Sequence, residues 1–336
     1  MDFKGLLKKY WFVGLLGILL IVFIGVYAVD AYKNKELTVS SKQIDGNYIV
    51  YSVDSQDVTA DEFFDSLYAK NGINCEYTSF QRAVLNAAYK TTDEMNTIAS
   101  YNASSMYQQY GEEYIISQLQ QMGYVDGTDD LANYYIDYAK KDLLVTDYVK
   151  AHENDIFKPF QELNNGRVIY HILVKVADIT SNTDENGKTT YTANPTAEET
   201  QKLNDILAAL KEKPFEEVAA QYSDDSSAAY GGYIGYIGNN NAQNYYPIFS
   251  ETSLALGNNE VSDAITSQAG YHIIWNAGSS IDTVAADSGF LQAIQETYPT
   301  LPLKAVMEKA NELGFEIIDE KLNSLITTQL ESEDAE

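Results

Sequence analysis

The sequence predicts an α+β protein: an N-terminal apolar helix, then a mainly helical domain built from both flanks of an inserted α/β domain with a small antiparallel sheet and surrounding helices. Three observations predict this. Tyr10 to Val29 carries no charge, amphipathic patterns fill 58–163 and return over 281–330, and a β-branched run begins abruptly at Val168.

The twenty uncharged residues from Tyr10 to Val29 suffice for one membrane span, since a helix of about 20 residues crosses the hydrocarbon core. Lys4, Lys8 and Lys9 precede the segment and Asp30 follows it, so the positive-inside bias places the N-terminus in the cytoplasm and the bulk of the chain outside the cell membrane. The competing reading is a cleaved signal peptide, with Val29 and Ala31 as the small residues before the cut. An apolar core longer than the ~7–15 residues of a cleaved signal favours a retained anchor.

The 336 residues leave room for about two domains beyond the anchor, and 45% hydrophobic residues suffice for real cores. A formal charge of -27 argues against nucleic acid as a partner, because phosphate binding needs clustered Lys and Arg. Cys75 is the single cysteine, so an intramolecular disulfide is excluded, and it reads as a small buried hydrophobe.

After the anchor, Tyr48 to Val53 is strand-like, and Thr59 with Glu62 reads as a capping box opening a helix whose apolar face is Phe63, Phe64, Leu67 and Tyr68. Asn71-Gly72 reads as its stop. Amphipathic patterns continue over about Ser79 to Tyr124 and Asp130 to His152. Val168 to Val176 is too short and too β-branched for a helix and reads as a buried strand. The polar insert Asp178 to Pro195 reads as a surface excursion. Thr196 and Glu199 form a second capping box, Pro214 suits the start of a helix over Phe215 to Tyr222, and a helix is expected around Ile248 to Leu256. Short strands are expected near Ala264 and over Tyr271 to Trp275. Leu301 to Leu313 is helical, Gly314 is its C-cap, Phe315 to Ile318 is strand-like, and a final helix runs from about Glu320 to Leu330. The expected boundaries are 1–30 for the cytoplasmic end and anchor, 31–163 for a linker and helical region, 164–280 for the α/β domain, 281–330 for a helical segment packing on the N-terminal region, and 331–336 for an acidic tail.

Two of the three histidines, His171 and His272, each sit in a strand before branched apolar residues. Either alone reads as a satisfied core residue. Between them lie Phe215-Glu-Glu-Val-Ala219, Tyr222-Ser-Asp-Asp-Ser-Ser-Ala228, Gly231-Gly-Tyr-Ile-Gly235, Phe249 and Glu260-Val-Ser262, with His171-Ile-Leu-Val174 before and Gly270-Tyr-His-Ile-Ile274 after. In order and spacing these elements resemble the parvulin-type peptidyl-prolyl cis-trans isomerases over about residues 165–280. More loosely, the helical flanks, the Val53 to Phe64 segment and Phe315-Glu-Ile-Ile-Asp319 resemble the PrsA-type extracytoplasmic foldases.

The resemblance implies a membrane-tethered foldase that rotates Xaa-Pro bonds in unfolded or partly folded exported polypeptides, with chaperone-like helical arms, no cofactor and no metal. It implies that His171 and His272 pair beneath the site, that Ser267 supplies a hydroxyl beside them, that Asp225 acts electrostatically, and that Ile234, Tyr245 and Phe249 line the proline pocket. Tyr245 stands where methionine is common, Ile234 where leucine is, and Ile237 where an aromatic residue is.

Other readings stay open. Asp224 and Asp225 are ordinary turn-capping residues in a Ser-Asp-Asp-Ser stretch. The tyrosines from Tyr230 to Tyr246 are either a peptide-gripping rim or packing. Gly231, Gly232 and Gly235 lack the helix and Lys of a phosphate loop. A holdase that keeps the fold for binding alone, an exported scaffold or adhesion module, and dimerisation through the helical arms are further alternatives.

Overall fold

The computed structural model describes residues 42–44, 47–53, 56–68, 72–124, 130–187 and 189–333. The expected anchor Tyr10 to Val29 lies outside the described residues. Among the described ones, no helix is long and apolar enough to cross a membrane. The chain divides into residues 1–70 and 71–336.

In the first unit, β1 (Lys42–Ile44), β2 (Asn47–Val53) and β3 (Gln56–Thr59) form an antiparallel meander. Helix α1 (Ala60–Leu67) opens on the expected capping box: Thr59 Oγ1 accepts the Glu62 N–H at 3.1 Å, and the Glu62 carboxylate accepts the Thr59 N–H at 2.9 Å. The helix stops at Leu67, before the expected Asn71-Gly72, and Gly72 instead leads into the next helix.

The second unit begins with α2 (Ile73–Ala88), α3 (Asp93–Tyr110), α4 (Glu112–Gln121), α5 (Asp130–Ala151) and α6 (Lys158–Asn164). The single stretch read over Ser79 to Tyr124 is thus three helices. Thr92 accepts the Met95 N–H at 3.1 Å to start α3, and Gly111, at φ 84, turns the chain into α4. Cys75 is half-buried rather than buried.

Next come β4 (Arg167–Lys175), β5 (Ile179–Thr183), β6 (Thr189–Ala193), α7 (Ala197–Ala209), α8 (Phe215–Tyr222), β7 (Tyr233–Ile237), α9 (Pro247–Ala255), β8 (Ile265–Ser267) and β9 (Gly270–Gly278). An antiparallel sheet of order β7-β4-β9-β8 forms, with β4 and β9 at its centre. Period-two alternation gives it two faces. On one, Ile172, Val174 and Ile273 pack on Ile206 of α7 and Phe215, Val218 and Ala219 of α8. On the other, Ile169, Ile237 and Ile274 pack on Phe249 of α9. The polar insert is exposed as expected, but it is an ordered hairpin of β5 and β6 rather than an irregular excursion. Hydroxyls such as those of Thr183 and Thr189, 3.0 Å apart, pair across it.

Helices α10 (Ile281–Val284), α11 (Ser288–Thr297), α12 (Leu301–Leu313) and α13 (Glu320–Glu333) close the chain. Gly314, at φ 74, caps α12 as expected. Phe315 to Ile318 forms no strand: among the described residues no strand pairs with it, and the Phe315 ring instead meets Phe80 edge-on at 6.3 Å. The helix expected to end near Leu330 continues to Glu333. Leu85 of α2, Leu144 of α5, and Ala305 and Val306 of α12 share one core, so segments on either side of the sheet region meet.

A junction core joins the helices to the sheet. It gathers Val145 and Val149 of α5, Phe160 of α6, Val168 of β4, Tyr236 of β7, Ile281 and Val284 of α10, and Phe290 and Ile294 of α11. Phe160 is fully buried and meets Phe290 edge-on at 5.6 Å. Phe160→Ala should therefore cost about 3–5 kcal/mol. Urea unfolding followed by far-UV circular dichroism checks this; a loss under about 1 kcal/mol would contradict the packing described.

Candidate active site

The site grows from the central strand pair. The register sets Leu173 opposite His272 and His171 opposite Ile274, so both histidines project from the same sheet face on neighbouring strands. His272 Nδ1 lies 3.3 Å from His171 Nδ1, and His272 Nε2 lies 2.7 Å from Ser267 Oγ. Ser267 is fully buried, and its oxygen also accepts the Ala269 N–H at 3.0 Å. At the far end, His171 Nε2 stands 3.3 Å from Asp225 Oδ1, a close polar contact without the alignment of a full hydrogen bond.

These contacts assign the tautomers from the network. If Ser267 donates to His272 Nε2, then His272 carries its proton on Nδ1 and donates to His171 Nδ1. His171 then holds its own proton on Nε2, facing the carboxylate. The reverse polarity would turn a bare nitrogen lone pair toward Asp225, so the chain runs Ser267, His272, His171, Asp225.

Asp225 is placed by backbone stitching. After α8, Ser223 Oγ accepts the Leu173 N–H at 3.1 Å, the Asp224 N–H donates to the Leu173 carbonyl at 2.8 Å, and Asp224 Oδ2 accepts the Lys175 N–H at 3.0 Å. Lys202 Nζ holds the other Asp224 oxygen at 2.5 Å. Asp224 is thus a turn residue. Asp225 is both a cap, accepting the Ser227 N–H at 2.8 Å, and the partner of His171. The His171 N–H donates to Gly232 O at 2.8 Å, and a Cβ on Gly232, whose φ is +82, would fall 2.4 Å from the His171 carbonyl oxygen. Only glycine lets the loop close here.

Above the pair lies an apolar shelf. Phe249 is buried and presents its ring edge-on to His171 at 5.4 Å and to His272 at 5.5 Å. Tyr245 stacks on Phe249 at 5.7 Å, and Ile234 packs against the same cluster. All seven residues expected at the site therefore gather on one side of the sheet. Ile237 is fully buried in the layer beneath the shelf. The five tyrosines do not form one rim. Tyr246 meets His272 edge-on at 6.0 Å, whereas Tyr233 donates to Asp287, Tyr236 is buried in the junction core, and Tyr230 is exposed. Sequence reading missed Ser223 and Asp287. Both act through backbone or cap geometry, and only Asp287, which caps α11 at Gly289 N–H, 2.7 Å away, had a local signal in the Asp-Ser-Gly start of a helix.

Burial disfavours the charged imidazolium. It holds His272 down at about 4, with repulsion from His171 adding to it and the Asp225 charge opposing it. His171 is lowered for the same first reason, against the stabilising Asp225. For Asp225, burial would raise the carboxyl, but hydrogen bonds from Ser227 and the His171 contact together hold it at about 2. At neutral pH the site therefore pairs two uncharged imidazoles with one carboxylate.

An antiparallel four-stranded sheet with helices on both faces thus carries a buried histidine pair beneath an apolar shelf. Residues 171–276 match the family described as Rotamase: PPIC-type PPIASE domain. Over a longer stretch the chain is similar to the Foldase protein PrsA of Bacillus subtilis (strain 168), with 27% identity over 234 residues that cover 67% of this chain and 66% of that protein. It is also similar to the Peptidyl-prolyl cis-trans isomerase Pin1 of Malus domestica, 41% identical over 76 residues, which are 23% of this chain and 60% of that one. The crystal structure of PrsA from Bacillus subtilis superimposes over 82% of this chain and 96% of its own, at 22% identity and a TM-score of 0.42. The chain spans just under two thirds of the first of these relatives.

The pKa of His272 carries a stability consequence. An unfolded histidine titrates near ~6.5, so between about 6.5 and about 4 the unfolded chain binds the extra proton. Stability is complete above the upper value and falls as pH drops toward the lower, by roughly 3 kcal/mol for this group. The urea midpoint should decline from pH 7 to pH 4.5, and the His272→Asn variant should show a shallower decline. A flat wild-type profile would contradict a neutral buried pair.

Proposed function

We propose that the protein is a peptidyl-prolyl cis-trans isomerase and foldase for exported chains. The observation that carries this reading is the Ser267–His272–His171–Asp225 chain lying under an apolar shelf of Phe249, Tyr245 and Ile234. Rotation about a prolyl bond faces a barrier of about 18–20 kcal/mol, because the amide loses its resonance on twisting. Uncatalysed rotation takes roughly tens to hundreds of seconds and can limit folding. Each tenfold acceleration needs only about 1.4 kcal/mol.

The shelf fits a proline ring, which would be desolvated against Phe249 while the flanking chain stays free to turn. As the amide twists, electron density returns to nitrogen and the carbonyl carbon-oxygen bond regains ketone character. The Asp225 carboxylate is a fixed charge beside the shelf, favouring the charge distribution of the twisted amide over the planar one. The imidazoles are positioning residues in this scheme. Their tautomer chain keeps the floor beside the turn-fixed Asp225 in one arrangement and stays uncharged, so it adds no competing field. No covalent bond to the enzyme forms.

The anchor Tyr10 to Val29 supports a tethered, extracytoplasmic location, single-pass with the N-terminus inside. The helical arms support client holding: Ile98, Tyr101, Tyr110 and Tyr114 are exposed on α3 and α4. That exposure also favours the second reading, a holdase whose sheet domain only binds.

The soluble chain from Lys33 onward should accelerate cis-to-trans conversion of a short Xaa-Pro peptide, followed by protease coupling or exchange NMR. Asp225→Ala and His272→Ala should each reduce kcat/KM by roughly ten- to a hundred-fold. A folded fragment that suppresses aggregation of a reduced client without any acceleration would establish the holdase instead.

A further inference from the structure

Strand β7 departs from regular pairing beside the shelf. Ile169 and Tyr170 are neighbours on β4, yet they face Gly235 and Tyr233 on β7, so Ile234 is the extra residue of a β-bulge. In a regular strand Ile234 and Tyr236 would share one face. The bulge parts them: Ile234 and Ile237 join the Phe249 cluster, whereas Tyr236 enters the junction core. One of the three shelf side chains therefore depends on an irregularity in an edge strand.

An edge strand has a ladder on one side only, and β7 pairs with β4 alone. The second constraint on the bulge is Asp287. Its Oδ1 accepts the Gly289 N–H at 2.7 Å and the Phe290 N–H at 3.4 Å, which caps α11, while its Oδ2 accepts the Tyr233 hydroxyl. Gly235 lies against the same group: its φ is +100, and a Cβ there would fall 3.1 Å from Oδ2. Asp287 is only 5% exposed, and the Tyr233 ring meets Tyr170 edge-on at 5.3 Å. Burial first, and then the neighbouring carboxyl group, push the Tyr233 pKa up, so the hydroxyl keeps its proton and remains the donor. The residues on both sides of Ile234 thus abut one buried carboxyl group. A helix cap needs Oδ1 alone, so capping does not account for the contact of Oδ2 with the bulge. Asp287 also stands beyond residue 276, where the family match ends, at the start of a helix that gives Phe290 and Ile294 to the junction core.

We propose that Asp287 is a positioning residue of the prolyl site, supplied by the helical flank: through Tyr233 and Gly235 it fixes the β7 bulge and so sets Ile234 against the substrate ring. This rests on the isomerase reading for the placement of that ring, and it makes substrate fit depend on a residue outside the sheet domain. Asp287 itself touches no substrate.

The experiment measures kcat and KM of the full-length chain for an Xaa-Pro tetrapeptide. Tyr233→Phe removes the donor, and Asp287→Ser keeps a cap on α11 while dropping the contact to Tyr233. Each should raise KM at least fivefold and change kcat less than twofold, and the double variant should be no worse than either single one. A merely structural role would lower the urea midpoint without this split. In an Ile234→Ala background neither change should raise KM further, because the side chain they position is gone. A smaller rise in either variant, a loss carried by kcat, or an undiminished effect in the Ile234→Ala background overturns the proposal. A folded wild-type chain without turnover overturns the isomerase reading instead. Titration of the same peptide by NMR then decides the role of Asp287, since a dissociation constant unchanged in Tyr233→Phe, or no binding at all, rejects it.

Discussion

The register between β4 and β9 is the constraint on which the remainder of the site hangs. With Leu173 opposite His272, both histidines project to the face covered by Phe249, while Ile172, Val174 and Ile273 turn to the opposite core. A slip by one residue would exchange the two sets, putting imidazoles into the α7–α8 core and aliphatic side chains under the shelf. Gly270, at φ +135, starts β9, and a Cβ there would lie 2.1 Å from the Val174 carbonyl oxygen. The tight approach helps pin the strands in that register.

Electrostatics follows from placement. Two imidazoles buried side by side cannot both stay charged without solvent, and neutrality is the less costly solution. The hydrogen-bond chain then has a direction because its end meets a carboxylate that turn geometry has already fixed. Asp225 thus sets the polarity of a network reaching to Ser267, although it touches only one member.

The histidines were legible because each lies in a short apolar run whose period has one plausible structure, and the loop between them carries a spaced pattern. Residues whose roles depend on three-dimensional turn geometry were not. Asp224 and Asp225 are adjacent and chemically identical, and only the stitching of 223–225 onto β4 separates a Lys202 partner from a His171 partner. The β5–β6 hairpin escaped because its stability comes from threonine pairs across strands, without a buried face to impose alternation. Phe315 to Ile318 misled in the opposite sense. Its residues favour a strand, but a strand needs a neighbour, and here aromatic packing on Phe80 is what the chain offers.

The junction core has an implication for how this chain can be divided or inherited. Val168 and Tyr236 belong to the four-stranded sheet, Phe160 and Phe290 to the helices on either side of it, and all four share one hydrophobic interior. The two parts therefore have a party wall rather than a hinge. Cutting at residues 165 and 280 would leave raw apolar surface on both pieces, so a sheet domain transplanted into another protein would need a new lining for that face.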